Sequence, residues 1–294
     1  MSEFLTTREL AALLRVRERK VYDLVAQGAL PFRKVTGKLL FPRKDIETWL
    51  GAGTGSGGEE AAPAAEVPRA LVVVGGHDPL LEWALRASRS GIAAFFDGAL
   101  DGLERAAAGD CIAAGVHIPD GEGWNVAMVA ERFGQEPWVL LEWVRRKRGL
   151  MFRPGLKRAP RCLKDTRGLR FQARQPEAAS ELVLERLLKA EKLSRAELWA
   201  NETVERSETD LAMAIAGGRA DVGLGIEAAA RQFNLDFVPL VDERFDLLVW
   251  RKAYFDPPFQ RFVAFCRTPA LAERAHALGG YDLSGFGRVH FNAR

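Results

Sequence analysis

The sequence predicts an α/β protein built from two unequal folding units. Three observations lead there. First, Gly51 to Arg69, GAGTGSGGEEAAPAAEVPR, is rich in glycine and alanine with no apolar periodicity, so it reads as a flexible linker between a head, residues 1–50, and a body, residues 70–294. Second, the body alternates short apolar runs with helical stretches, the pattern of a mainly parallel sheet covered by helices. Third, charge is unevenly placed. The first fifty residues carry ten Lys and Arg against six acids, while the remaining 32 basic residues face 33 acidic ones. A polyanion-binding module joined to a near-neutral one follows.

The bulk properties of the 294 residues bound the function. No run approaches the ~20 apolar residues of a membrane helix, and the opening MSEFLTTREL has no apolar signal core, so a cytoplasmic chain without a membrane partner is expected. Cys111, Cys162 and Cys266 are scattered, with neither metal-ligand spacing nor a disulfide framework; no metal and no cofactor are expected.

In the head, Thr6 or Thr7 caps a first helix whose apolar stripe is Leu10, Leu13 and Leu14, with Glu9 in its first turn. A second helix runs from about Arg17 to Gln27, with Val21, Leu24 and Val25 inward and Gly28 as its stop. Residues 31–35 and 38–41 form a basic hairpin around Thr36-Gly37, and residues 45–50 a last short helix closed by Trp49. Two helices split by a tight turn and followed by such a hairpin make a winged helix-turn-helix. Arg17, Arg19, Lys20 and Tyr22 sit at the start of the second helix, where base edges are read. Arg33, Lys34 and Lys38 on the hairpin are placed for phosphates or the minor groove. The expected partner is a double-stranded DNA operator, bound by a homodimer because palindromic sites mirror two-fold symmetry.

The body opens with a buried strand, Leu71 to Val74, ended by Gly75-Gly76. A helix from Pro79 to about Ser90, a strand at Ile92 to Phe96, a helix at Leu100 to Ala108 and a strand at Cys111 to Ile118 follow. PWVLLEWV and RGLMF read as two strands, with the basic run Arg145-Arg146-Lys147-Arg148 as a solvated turn between them. The alternation then resumes with a strand at Leu169 to Ala173, helices at Ala178 to Glu191 and Asp210 to Gly217, and a strand at Asp221 to Gly225. Phe237 to Leu240 and Phe245 to Trp250 are strand-like, and Pro258 to Leu278 is a helical tail. Two lobes joined by crossing strands are the expected arrangement: lobe I about 70–145 and 250–294, lobe II about 146–249.

Both units resemble known families. LTTRELAALLRV, RKVYDLVAQGALP and DIETWL are similar to the excisionase/MerR-type DNA-binding domain over nearly all of Ser2 to Leu50. GGHDPLLEWAL, GVHIPDGEGWNV, RQPEAASELVLERLL and the stretch AIAGGRADVGLGIEAAARQFNLDFVPLVDERFDLLV resemble the periplasmic-binding-protein-like (type 2) sensor domain related to molybdate and tungstate binding proteins. The resemblance implies a bacterial, ligand-responsive transcription regulator with a small-molecule effector in the cleft between two α/β lobes, closing around it.

By position, the lining falls at strand-to-helix turns: His77 and Asp78, then Asp97 and Gly98, then His117 in the first lobe, and Arg174, Gln175, Glu177, Ser180, Thr209 and Asp210 in the second. Helix N-termini there offer free N–H groups to an anion. Oxyanion-binding relatives place Ser or Thr at such turns, whereas Gly98-Ala99 and Glu177-Ala178-Ala179-Ser180 here lack two of those hydroxyls and add a carboxylate. An organic effector carrying an amine or hydroxyls is therefore expected, with Phe95, Phe96 or Trp124 adding apolar contact; a molybdate- or tungstate-type oxyanion is the alternative. An enzyme acting on a molecule in the cleft is the alternative from another class. No nucleophile–base pair, metal cluster or phosphate-cradling loop supports it, so no catalytic residue is assigned.

Overall fold

The computed structural model describes residues 4–14, 16–26, 30–35, 38–46 and 68–293. The chain divides into two compact units, Met1–Val67 and Pro68–Arg294. The linker expected up to Arg69 lies outside the described residues as far as residue 67, as do Gly28, the Thr36-Gly37 turn and Trp49.

In the first unit β1 (Phe4–Thr6) leads into α1 (Thr7–Leu14), then α2 (Glu18–Ala26), β2 (Arg33–Val35) and β3 (Lys38–Pro42). Thr6 starts α1 through a reciprocal cap: its backbone N–H and hydroxyl both donate to Glu9 Oε2 at 2.8 Å, and its Oγ1 accepts from the Glu9 N–H. Those bonds, the backbone one first, hold the Glu9 carboxyl below its ordinary value. The Val16 N–H closes on the Ala11 carbonyl as the chain turns toward α2. Leu10, Ala11, Val21, Leu30, Phe41 and Ile46 bury the core with Leu5. Leu13 does not join it: the residue is 46% exposed, because Leu10 and Ala11 already supply the inward face of a helix of eight residues. The sheet order is β1-β3-β2, so a strand preceding α1 extends the expected hairpin to three strands.

The second unit is one ten-stranded sheet with helices packed on it. Its first half contains β4 (Val72–Gly75), α3 (Pro79–Ala87), β5 (Ala93–Phe95), α4 (Ala99–Ala108) and β6 (Ala113–Val116), with β4 parallel to both β5 and β6. A small hairpin, β7 (Pro119–Asp120) and β8 (Gly123–Trp124), and α5 (Val126–Phe133) follow. The long strand β9 (Trp138–Phe152) leads to the second half: β10 (Arg170–Arg174), α6 (Ala179–Ala190), β11 (Trp199–Glu205), α7 (Glu208–Ala216), β12 (Val222–Ile226) and α8 (Glu227–Gln232). There β10 lies parallel to β11 and β12. The return strand β13 (Asp236–Trp250) runs back along β9, and α9 (Arg251–Tyr254), α10 (Pro257–Cys266), α11 (Pro269–Leu278), β14 (Tyr281–Asp282) and β15 (Val289–Asn292) complete the first half.

Two expectations are corrected. Trp138 to Phe152 is one strand of 15 residues, and Asp236 to Trp250 is its 15-residue antiparallel partner. Arg145 to Arg148 is therefore not a solvated turn. It lies in mid-strand, and its side chains alternate: Arg146 and Arg148 are buried while Arg145 and Lys147 are exposed. The helical tail is likewise two helices, parted at Arg267-Thr268 with a proline opening each. Gly149 lets the β9–β13 ribbon keep its register beside an irregularity between Pro239 and Val241, since a Cβ at Gly149 would lie 2.0 Å from the Val238 carbonyl oxygen.

Three apolar clusters hold this unit. One lies under α3, α10 and α11 around Trp143, Phe245, Phe259 and Phe262. A second lies between α4, α5 and the sheet around Leu103, Phe133 and Trp138, and a third in the second half around Phe152, Phe171 and Leu184. Cys111 and Cys266 are buried thiols, each pushed up to about 12 by burial.

Candidate functional site

Where the two halves meet, the sheet places charged groups in its interior. Arg146 and Arg148 point to one face of β9, and Glu243 on β13 is the register partner of Arg146. Glu243 Oε2 accepts from Arg146 Nε at 2.6 Å and Arg148 Nη2 at 3.1 Å; Oε1 accepts from Arg148 Nε at 2.6 Å and lies 2.8 Å from His117 Nδ1. Asp78, the N-cap of α3, takes the Leu81 N–H and Trp143 Nε1 on one oxygen, and Arg146 Nη1 and Tyr281 Oη, both at 2.8 Å, on the other. From the second half, Glu208 at the start of α7 accepts from Arg148 Nη2 at 2.9 Å. Arg174 at the end of β10 brings Nη1 to 3.0 Å from the same Glu208 oxygen, without the alignment of a hydrogen bond.

These six charges balance, three arginines against three carboxylates, and all are at most 5% exposed. Burial would raise both glutamates, but the guanidiniums outweigh it. Arg146 and Arg148, aided by His117, hold Glu243 well below the usual carboxylate range. Arg148, Arg174 and Arg146 hold Glu208 at about 2. Burial lowers His117 below its usual value against the pull of Glu243, which favours the neutral ring. Arg174 is lowered by burial and only partly offset by Glu208, so it is the least compensated of the three arginines.

Pairing is incomplete. Arg146 Nη2, Arg148 Nη1, Arg174 Nη1, Glu208 Oε2 and the Ser180 hydroxyl are buried polar atoms without a hydrogen-bond partner among the described residues. Such atoms are rare in folded proteins and mark strain, an ordered water or ion, or a ligand position. A solvent-open cavity of about 320 Å³ adjoins the cluster on the β9–β13 ribbon, lined by Arg146 and Tyr281 together with the exposed Arg145 and Lys147. Its Lys147–Asp242 and Arg231–Glu227 pairs already satisfy one another, so it is the weaker candidate.

The residues expected from sequence divide into three groups. His77, Asp78, His117 and Arg174 enter the cluster; His77 Nδ1 accepts the Glu208 N–H at 3.3 Å while its Nε2 lies 3.2 Å from Glu82. Ser180 is buried in the first turn of α6. Asp97, Gly98 and Glu177 form contacts between the halves, whereas Gln175 bonds within the second half. Asp97 takes a two-pronged pair from Arg206, the Glu177 carbonyl accepts the Leu100 N–H at 3.1 Å, and Gln175 Nε2 donates to the Arg206 carbonyl. The Glu177 carboxylate itself is exposed. Gly98, at φ +105, packs so closely that a Cβ would lie 2.5 Å from the Glu177 oxygen. Thr209 and Asp210 stand apart: Ser207 caps α7 by accepting the Asp210 N–H, so the helix begins at Glu208, two residues before the expected start. Phe95 is 47% exposed beneath Arg105, whereas Phe96 packs on the core beside His77.

Sequence reasoning missed Arg146, Arg148, Glu208, Glu243 and Tyr281. A signal existed for the first two: neither Gly nor Pro interrupts Trp138 to Arg148, so the charged run continues a strand.

In the first unit, Arg17, Arg19, Lys20 and Tyr22 are exposed at the start of α2, and Arg33 and Lys34 are exposed on β2. Lys38 opens β3, and its side chain lies outside the described set.

Known proteins share both units. The family described as a helix-turn-helix domain matches residues 4–54, and that described as a PBP superfamily domain matches residues 82–267. YvgK of Bacillus subtilis (strain 168), described as uncharacterized, is 25% identical over 265 residues, 84% of this chain and 85% of its own length. A Clostridium perfringens protein assigned as an ABC-transporter substrate-binding protein and solved with phosphate superposes with a TM-score of 0.53 at 10% identity, covering 70% of this chain and 96% of its own. A cysteine-to-serine mutant of Corynebacterium glutamicum OxyR with hydrogen peroxide bound gives 0.50 at 12% identity, covering 93% of this chain and 89% of its own. At such identities the likeness speaks for the fold alone. With more than half of its length matched, the chain belongs to the PBP superfamily, carrying a helix-turn-helix domain ahead of its ligand-binding fold.

Proposed function

We propose that the chain is a ligand-responsive, DNA-binding transcription regulator, in which a small molecule bound between the two halves of the second unit changes operator binding by the first. The observation that carries this reading is the set of buried atoms without a hydrogen bond on Arg146, Arg148, Arg174 and Glu208, within a PBP-superfamily domain whose resemblance implies a ligand between two lobes. The helix-turn-helix domain supports DNA as the partner, with Arg17, Arg19, Lys20 and Tyr22 reading bases and Arg33, Lys34 and Lys38 holding phosphates. His77, Asp78, His117, Arg174, Gln175 and Ser180 serve the ligand site; Asp97, Gly98 and Glu177 serve closure. The regulator works as a homodimer and without catalysis. Closure need supply only about 1–3 kcal/mol of coupling to change operator occupancy.

The oxyanion reading has one observation in its favour, the three guanidinium nitrogens without a hydrogen bond among the described residues. Against it stand the carboxylates of Glu208 and Glu243: a like unit charge about 4 Å from either is repelled by roughly 4 kcal/mol at an effective dielectric near 20. Calorimetric titration with molybdate decides, since sub-micromolar affinity establishes the oxyanion and rejects the organic effector. For the regulator reading, a duplex selected from a random pool is titrated with the full chain by fluorescence anisotropy, with and without compounds that raise its melting temperature. An operator affinity unmoved by every such compound rejects the switching claim.

A further inference from the structure

We infer that the ligand of this site is a small zwitterion, a molecule joining a carboxylate or similar anion to an ammonium group. This rests on the site assigned above and goes further by naming the chemistry that the cluster leaves unmatched.

The argument begins from the internal pairing. Glu243 binds Arg146 and Arg148, and Glu208 joins Arg148 to Arg174, so the three guanidiniums form one chain linked by two shared carboxylates. Arg146 Nη2 and Arg148 Nη1 are left over, and Arg174 Nη1 meets Glu208 Oε1 at 3.0 Å without hydrogen-bond alignment. Guanidinium nitrogens only donate, so the ligand must bring acceptors, and a planar carboxylate suits arginine forks. One acceptor is also left over, Glu208 Oε2. Glu208 is held at about 2, so it is ionised and cannot donate. The ligand must therefore also bring a donor, and an ammonium matches a buried carboxylate oxygen in both charge and hydrogen bonding.

Charge balance points the same way. Arg146, Arg148 and Arg174 are offset by Asp78, Glu208 and Glu243, all at most 5% exposed. His117 is driven toward its neutral form and adds no charge. A dianion would leave two uncompensated charges in a buried site, and a plain cation would face three arginines; a net-neutral ligand with separated charges leaves the balance intact. Glu208 also lies at the mouth of α7, beside the Arg174 fork that donates to the Glu205 and Arg206 carbonyls. A ligand bridging Arg146 on β9 to Glu208 on α7 would thus join one half of the fold to the other.

The test uses the full chain and a thermal-shift panel: the proteinogenic L-amino acids, γ-aminobutyrate, glycine betaine and 2-aminoethylphosphonate as zwitterions; acetate, propionate and isovalerate as their des-amino counterparts; and inorganic phosphate, sulfate and molybdate. The expected result is a rise in melting temperature with at least one zwitterion bearing an N–H donor and none with the simple anions. Calorimetry with that zwitterion should then show affinity reduced at least tenfold in Glu208→Gln, while the matching des-amino acid binds Glu208→Gln no more weakly than the parent. Arg174→Lys serves as a second variant, keeping the charge while losing the fork, and should also weaken the zwitterion; circular dichroism checks that both variants fold. Stabilisation by an oxyanion or des-amino acid alone overturns the zwitterion but leaves the ligand site standing. A panel in which no compound stabilises the chain overturns the zwitterion. If a zwitterion binds equally well to both variants, the site itself is misplaced and both readings fall.

Discussion

Replacing Glu243 by glutamine removes one buried charge at nearly constant volume, and its effect can be worked out from the geometry. The carboxylate accepts three bonds from two guanidiniums, at 2.6, 2.6 and 3.1 Å, and meets His117 Nδ1 at 2.8 Å. A glutamine retains one acceptor oxygen and turns an NH₂ donor toward N–H donors, so about two charge-assisted bonds are lost. At roughly 1.5–3 kcal/mol each that amounts to about 3–6 kcal/mol. Breaking one side of a buried ion pair independently gives about 3–5 kcal/mol, so about 4 kcal/mol is expected. At roughly 2–4 °C per kcal/mol for a domain of this size, the melting temperature falls by about 8–16 °C. Urea denaturation at pH 7.5 followed by tryptophan fluorescence reads this directly, because six of the seven tryptophans lie in the second unit. The folded Glu243 carboxyl sits well below 4.5, so its contribution is complete above that pH and is lost as the pH falls through its folded value. The deficit of the variant therefore shrinks in acid. Replacing Arg146, Arg148 and Glu243 together with apolar residues should not recover the loss, because buried Asp78 then loses Arg146 and buried Glu208 loses Arg148. A Glu243→Gln variant within about 1 kcal/mol of the parent would refute the description of this site as a tightly coupled charge cluster.

Other outcomes follow from neighbouring features. The Glu208 carboxyl, moved from 4.5 to about 2, contributes about 3 kcal/mol at neutral pH. That share is present above pH 4.5 and lost between 4.5 and 2, so urea stability measured along this range should fall more steeply for the parent than for Glu208→Gln, and parallel curves would contradict it. Gly98→Ala adds a Cβ 2.5 Å from the Glu177 carbonyl oxygen at a φ of +105, so a loss of about 1–3 kcal/mol is expected by thermal denaturation; an unchanged midpoint would show that the two halves do not press together there. Arg19→Ala should weaken binding to a selected duplex by about 1–3 kcal/mol and relax preference at one base position, as read by anisotropy; equal affinity removes Arg19 from the base-reading set.

Much of the fold was legible because its elements announce themselves locally. The Thr6 and Glu9 cap and the valines of β4 with their terminal glycine each act over a few residues. The site was half legible for the same reason. His77, Asp78 and His117 follow strand ends and Arg174 closes one, where position alone marks them. Arg146, Arg148 and Glu243 were hidden because charge density is read as solvent exposure, whereas each of these charges lies next to its counter-charge on a neighbouring strand. That pairing depends on the β9–β13 register, a contact between residues almost a hundred positions apart. Glu208 lies two residues before the helix start that the sequence predicts at Asp210, because Ser207 supplies the cap and Glu208 the first turn.

The alternation along β9 also makes this strand a two-track message. One track, Arg145 and Lys147, is written for water; the other, Arg146 and Arg148, for the interior. A single-residue insertion between Trp143 and Arg145 would exchange the tracks, delivering Arg145 and Lys147 to the carboxylates and expelling the two arginines that now meet them. Because three of these four residues are arginines, the shifted frame would still be positive inside, but the inward pair would become one arginine and one lysine. A two-residue insertion would leave the alternation in phase and move only the partners. Length variation in this strand should therefore be tolerated in steps of two, a parity rule imposed by the pleat and independent of any ligand.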